Sequence, residues 1–312
     1  MTQDIDALLG FAPDYDSAIA YMRQTREYYA AIGYTTPYRW AHYIDAPFTK
    51  LTKPLAKSRV AMITTAAPFQ PGKGDQGPGA AYNGSAKFYA VYSGDTSTDH
   101  DLRISHIGYD RTHTTATDSN TWNPLPALRR AAAAGRIGEV APRFHGAPTN
   151  RSHRVTVETD APEILARVRE DKADVAVLIP NCPVCHQTIS LTARYLEANG
   201  IPTVVMGCAK DIVEHAAVPR FLFSDFPLGN SAGRPHDVAS QDQTLEYALQ
   251  VLESAAGPRT TMQSPLRWSE SADWKLDYLN LERIGPAELA ARRAEFDRQK
   301  ELARPNRVEK AA

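Results

Sequence analysis

From residue 162 onward the chain alternates short continuous apolar runs with segments of helical periodicity, and this rhythm restricts the fold more than any other feature. "PEILARVRED", "HQTISLTARYLEANG", "KDIVEHAA" and "SQDQTLEYALQVLESA" space their apolar residues as amphipathic helices. Between them "ADVAVLIP", "IPTVVMG" and "PRFLFSD" have the unbroken, partly β-branched composition of strands buried on both faces. Strand, crossover helix and strand in repetition predict βαβ units on a parallel sheet, an α/β fold.

The first half is mixed. "SRVAMITTAAPF" (58–69) reads as a buried strand, "AKFYAVYS" and "LRISHIGY" as further strand candidates, and "PLPALRRAAAAG" as a helix closed by Gly135. Residues 15–46 form a helical entry segment interrupted at Gly33 and Pro37. After Pro265 the chain becomes heavily charged and ends "ELAARRAEFDRQKELARPNRVEKAA", the pattern of a solvated helix with a frayed tail. The expected organisation is an N-terminal α/β region over 1–150, a βαβ region over 151–262 and a charged helical tail over 263–312.

Composition narrows the class of function. With 312 residues, 43% of them hydrophobic, the chain can bury one large core or two modest ones. A net charge of -1 offers no electrostatic reason for nucleic acid or an anionic membrane as partner. Three cysteines do not make a disulfide scaffold and fit a reducing compartment. "MTQDIDALLGFAPDYD" is acidic rather than a signal peptide, and no apolar run approaches the roughly 20 residues of a spanning helix. A cytoplasmic protein that forms a homo-oligomer is expected, without nucleic acid or membrane as partner.

Cys182 and Cys185 lie in "PNCPVCHQ", where the strand "ADVAVLIP" ends and a helix begins, the edge at which open parallel sheets bind ligands. Pro183 suits the first turn of that helix. A cysteine at such a cap has its thiolate stabilised by unpaired N–H groups and the helix dipole, which makes it nucleophilic at neutral pH. Cys185, three residues on, can capture a sulfur intermediate on Cys182 as a disulfide, so the pair can deliver two electrons. Competing readings are c-type haem attachment, which needs an exporting compartment, a zinc site using Cys182, Cys185 and His186, and two cysteines that merely pack.

Other segments are weaker. Gly72, Gly74 and Gly77 fit Gly-x-Gly-x-x-Gly, but Pro78 follows where a dinucleotide fingerprint needs a helix, so a loop is expected. "HIGYDRTHTTATD" offers His106, Asp110, Arg111, His113 and Asp118 as acid/base groups and a guanidinium able to clamp a carboxylate, or simply as a solvated loop. "DFPLGNSAGRPHD" reads as an edge loop of the sheet, and Cys208 as a buried thiol or a second group facing the same cleft.

"TREYYAAIGYTTPYRWAHYIDAPFTKLTKPLAKSRVAMITTAAPF", "HIGYDRT", "GRIGEVAPRFHG", "VLIPNCPVCHQTISLTARYLEANGIPTV" and "FLFSDFPLGNSAGRP" together resemble the glycine/sarcosine/betaine/D-proline reductase selenoprotein B family, closest to its shorter D-proline-reductase-type members. The resemblance spans residues 25 to 260. It implies a selenocysteine or cysteine that attacks the substrate's α-carbon and reductively breaks a C–N bond. Cys182 matches that reactive position, as sulfur rather than selenium, and Cys185 the second member of the pair. It also implies partner subunits, one of them bearing a pyruvoyl group.

The expectations are therefore a dithiol-linked reductase of a small amino-acid-like substrate, with Cys182 as nucleophile and Cys185 as resolving thiol. Arg111, His113, Asp118 and His186 are substrate-binding candidates. No metal and no bound cofactor are expected, and electrons come from an external dithiol or thioredoxin-type donor, with a partner subunit possible. The alternatives are a two-cysteine racemase or lyase using Cys182 and Cys208, and a non-enzymatic metal- or redox-sensing protein.

Overall fold

The computed structural model describes residues 16–34, 36–77, 83–104, 106, 108–149 and 152–308. The acidic N-terminal stretch, Pro78 of the glycine-rich loop and residues 309–312 of the expected tail lie outside them. In chain order come α1 (Tyr21–Ala31), β1 (Arg59–Thr64), β2 (Ala67–Pro68), β3 (Tyr92–Asp95), β4 (Leu102–Arg103), α2 (Leu125–Ala133), β5 (Glu139–Val140) and β6 (Arg143–Gly146). There follow α3 (His153–Val155), α4 (Ala161–Glu170), β7 (Val175–Ile179), α5 (Pro183–Ala198), β8 (Thr203–Gly207), α6 (Lys210–His215), β9 (Arg220–Phe223), α7 (Val238–Ser254), β10 (Thr260–Gln263) and α8 (Pro286–Val308).

One sheet joins both halves of the chain in the order β10-β9-β8-β7-β1-β6-β3, with β5 also paired to β1. All pairings in it are parallel except that of β3 with β6. The parallel βαβ fold is thus as the alternation predicts. Pairing along β1 passes from β5 to β6 across Ala141 and Pro142, where a ring nitrogen cannot donate to the ladder.

Period-two alternation sorts the strands onto two cores. On one face Val60, Met62, Val175, Val177, Ile179 and Met206 pack with Leu128 of α2 and Leu245 and Leu249 of α7. On the other, Ala61, Ile63, Ala176, Leu178 and Val205 meet Ile164 and Val168 of α4 and Ile189 and Leu196 of α5. A sheet covered by helices on both faces explains why its strands read as continuous apolar runs.

Several elements differ from expectation. The entry helix is confined to Tyr21–Ala31, and "AKFYAVYS" and "LRISHIGY" each contribute two strand residues among those described, Tyr92 and Ser93 at the start of β3 and Leu102 and Arg103 of β4. Beyond the β2–β4 ribbon, Gly108 lies against Pro183 at the start of α5. The terminal helix α8 is not wholly solvated either. Phe296, Gln299 and Ala303 are buried, and the Gly84 N–H donates to Gln299 Oε1 at 2.7 Å.

Candidate active site

Cys182 caps α5. Its backbone is extended, φ -115° and ψ 174°, and its Sγ accepts from the Cys185 N–H at 3.3 Å, satisfying one donor that a helix start leaves unpaired. Pro183 occupies the first turn. The geometry follows from the local sequence: β7 ends at Ile179, because Pro180 cannot extend the ladder, and a 16-residue helix starts at Pro183. The two sulfurs stand 2.6 Å apart, as free cysteines.

Tertiary packing adds a third group. His106, from the loop after β4, is buried against the pair, and one ring nitrogen lies with both sulfurs in a cluster 4.8 Å across. Its Nε2 faces the Thr65 carbonyl at 3.1 Å and so carries a hydrogen, while Nδ1 faces Thr149 Oγ1 at 3.1 Å. Burial alone raises the Cys185 thiol, but hydrogen bonds from Cys182, His106 and Thr65 and the charge of His106 outweigh it and hold the thiol well below its ordinary range. The lowered thiol is therefore Cys185, and the charge is shared with Cys182 across the short contact.

A cavity of about 430 Å³ opens onto Cys182. Arg111 and Asp110 line it together with His106, Tyr278 and residues of α8. The Arg111 guanidinium lies over the Tyr109 ring, 5.5 Å from its centroid, and makes no ion pair among the described residues. Asp110 is buried, accepts through Oδ1 from the Thr112 and His113 N–H groups, and leaves Oδ2 without a partner; burial pushes its carboxyl up. Gly108 brings backbone against the helix start: a Cβ there would stand 3.2 Å from Pro183 Cδ and 3.9 Å from Cys182 Cβ. A neighbouring groove of about 820 Å³, lined by Tyr34, Tyr38 and Trp40, shares Thr25, Tyr29 and Val184 with this cavity, and no cysteine lines it among the described residues.

The "DFPLGN" segment holds this wall in place. The Leu228 carbonyl accepts from the Asp110 N–H at 3.0 Å and from Thr114 Oγ1 at 3.0 Å, and Asn230 Nδ2 donates to Thr114 Oγ1 at 2.7 Å. Gly229 sits at φ +113°, where a Cβ would come within 2.7 Å of Thr114.

Three of the substrate-binding candidates have other work. His113 does not line the cavity; its Nε2 pairs with Asp277 at 2.9 Å. Asp118 is buried, accepting from Asn120, His236 and Gln241 and so tying the loop before α7 to the one before α2. His186 is fully buried beneath the helix start: its Nε2 accepts from the Cys208 N–H at 2.9 Å, so Nδ1 carries the hydrogen it donates to the Cys182 carbonyl at 2.8 Å. Both nitrogens thus face backbone groups, and His186 does not line the cavity. Cys208 lies outside the cavity, its Sγ 3.7 Å from Ser231, and burial pushes its thiol up to about 12.

Burial also pulls the His186 ring down to about 4. The unfolded ring protonates near pH 6.5 and the folded one only near 4, so its contribution is complete above pH 6.5 and is lost as pH falls toward 4, by about 3 kcal/mol. Urea midpoints of the reduced protein at pH 7.5, 6 and 5 should show this slope, and a folded His186→Gln variant should show less of it. An unchanged slope in the variant would refute the assignment.

Comparison with known proteins points in one direction. A family model described as glycine/sarcosine/betaine reductase selenoprotein B matches residues 30–180, ending just before the cysteine pair. The chain is 29% identical over 209 residues to the D-proline reductase subunit gamma of Acetoanaerobium sticklandii, a match covering 66% of this chain and 82% of that subunit. It is 25% identical over 243 residues to the glycine reductase complex component B subunit gamma of Symbiobacterium thermophilum, covering 74% of this chain and 54% of that relative. No solved structure matches it. Among the described residues no helix is long and apolar enough to cross a membrane.

Proposed function

Because the chain belongs to the glycine/sarcosine/betaine reductase selenoprotein B family, we propose that it is a thiol-dependent reductase that cleaves a C–N bond of a small amino-acid-like substrate. The observation that carries this reading is the pair of unbridged cysteines, sulfurs 2.6 Å apart at the start of α5, of which Cys182 lines a cavity that also presents Arg111. Arg111 receives the substrate carboxylate and sets the adjacent carbon before Cys182.

The chemistry balances within the pair. The Cys182 thiolate forms a C–S bond as the C–N bond breaks, and the amine departs with a proton. The Cys185 thiolate then attacks Cys182 Sγ, the C–S bond breaks, and the released carbon takes a proton. Product, amine and a Cys182–Cys185 disulfide result, so the substrate gains two electrons and the dithiol loses them. A thioredoxin-type or small external dithiol restores the thiols. No bound redox cofactor enters this cycle, and the names of the relatives favour work alongside a partner subunit. The two-cysteine racemase reading gains nothing from Cys208, which stands outside the cavity with a raised thiol.

The test is a single-turnover experiment. Reduced protein, purified with any subunits it retains, is incubated without added dithiol with candidate amino acids of both configurations. One disulfide per molecule of amine released is expected; substrate loss with both thiols intact would refute the reading. In steady state, Arg111→Ala should raise KM about 10- to 100-fold through loss of one charge-assisted contact, with a smaller change in kcat and partial recovery in Arg111→Lys. An unchanged KM would remove Arg111 from the site.

A further inference from the structure

We propose that reduced Cys182 and Cys185, together with His106, form a three-ligand site for a thiophilic divalent cation such as zinc, and that this cation and the disulfide exclude one another. The ligand set is the first reason. Two thiolates and an imidazole suit zinc among the common divalent ions, and the three ligand atoms lie within 4.8 Å of one another, all on buried residues. The surroundings are the second. The Thr65 carbonyl takes the Nε2–H of His106 at 3.1 Å, the outer-shell contact that orients metal-bound histidines. The cavity before Cys182 supplies room for a fourth ligand, water or a small anion.

Exclusion follows from distance. A tetrahedral ion about 2.3 Å from each sulfur holds them roughly 3.8 Å apart, whereas a disulfide needs about 2.05 Å. The observed contact of 2.6 Å lies between, so each outcome moves the pair in an opposite direction. Cys182 precedes the helix on extended backbone, whereas Cys185 stands in its first turn. The histidine next in sequence, His186, lies outside this cluster with its nitrogens on two backbone groups, the Cys208 N–H and the Cys182 carbonyl, whereas His106 Nδ1 faces a hydroxyl, Thr149 Oγ1, that can rotate. The inhibition of turnover that a bound ion implies rests on the reductase reading; the binding itself does not.

The experiment uses the full chain, reduced, stripped of metal and kept anaerobic, and titrated with Zn²⁺ against a chromophoric chelator, with Co²⁺ in parallel. One zinc per chain is expected, with strong near-ultraviolet thiolate-to-cobalt absorption and slowed iodoacetamide labelling of Cys182. Cys208→Ala should bind as the parent does. Cys185→Ser and His106→Gln, each checked for folding by circular dichroism, should bind at least about 100-fold more weakly. The disulfide form should bind none. Zinc held equally well by the disulfide form or by Cys185→Ser, or zinc bound without protection of Cys182, would overturn the proposal, as would failure to reach one equivalent. None of those results bears on amine release in the single-turnover assay, so the two readings fail separately.

Discussion

Cys182→Ala should lower turnover by at least about 10⁴-fold, because a covalent step loses its attacking atom and Cys185, left alone, has no partner sulfur with which to complete the dithiol cycle. Cys208, the third thiol, is buried outside the cavity and pushed up to about 12, so it supplies no substitute thiolate at neutral pH. Cys185→Ser should behave differently. It keeps the nucleophile and loses the sulfur that resolves it, so a thioether adduct on Cys182 should accumulate to one per chain and turnover should stop. Intact mass with peptide mapping distinguishes the two. Retained turnover in Cys182→Ala would overturn the mechanism. Adduct on Cys185 in Cys182→Ala would instead exchange the two roles, an outcome given weight by the lowered thiol at Cys185.

Loss of Arg220 should cost about 3–5 kcal/mol of stability, the usual effect of leaving a buried charge uncompensated. Arg220 opens β9 and is 1% exposed; its guanidinium meets Glu197 at 2.6 Å, donates to the Thr49 carbonyl at 2.8 Å and packs over the Phe48 ring. Glu197, 2% exposed at the end of α5, also accepts from the N–H groups of Thr49 and Thr203. Burial raises the Glu197 carboxyl and lowers Arg220, so for each partner desolvation exceeds the attraction of the other. Arg220→Met should therefore be costly alone and recover part of the loss when combined with Glu197→Gln. Chemical denaturation of the single and double variants measures this. A loss below about 1 kcal/mol in Arg220→Met would show that water reaches the pair.

Hydrogen-bonded neighbours along the chain were the readable part of this site. Proline at the first turn, cysteine at the cap and a second cysteine three residues on are local facts, and the helix start forms where their order requires it. The loop reading of Gly72 to Gly77 is also local: Gly72 and Gly74 adopt positive φ and no helix begins there. The orientation of His186 was not readable, for a different reason. Adjacency to Cys185 says nothing about which way a helical side chain points, and here it points beneath the helix to the Cys208 N–H. The strands "RFHG" and "TTMQ" escaped notice because four residues carry too little periodicity to read.

Alternation of apolar runs with helical segments was enough to determine a parallel α/β sheet and to put the cysteine pair at its ligand-binding edge, because strand and helix periods and cap chemistry act over a few residues. Only the tertiary structure decided that β1 from the first half lies beside β7, that His106 reaches sulfurs more than seventy positions away, and that Arg111 lines their cavity while His113 and Asp118 do not. Those meetings depend on how the loops after β4 and β9 pack over the sheet edge and on the Leu228 carbonyl that anchors one to the other. Contacts between distant segments come from burial and hydrogen-bond satisfaction across the whole fold, which no local pattern encodes.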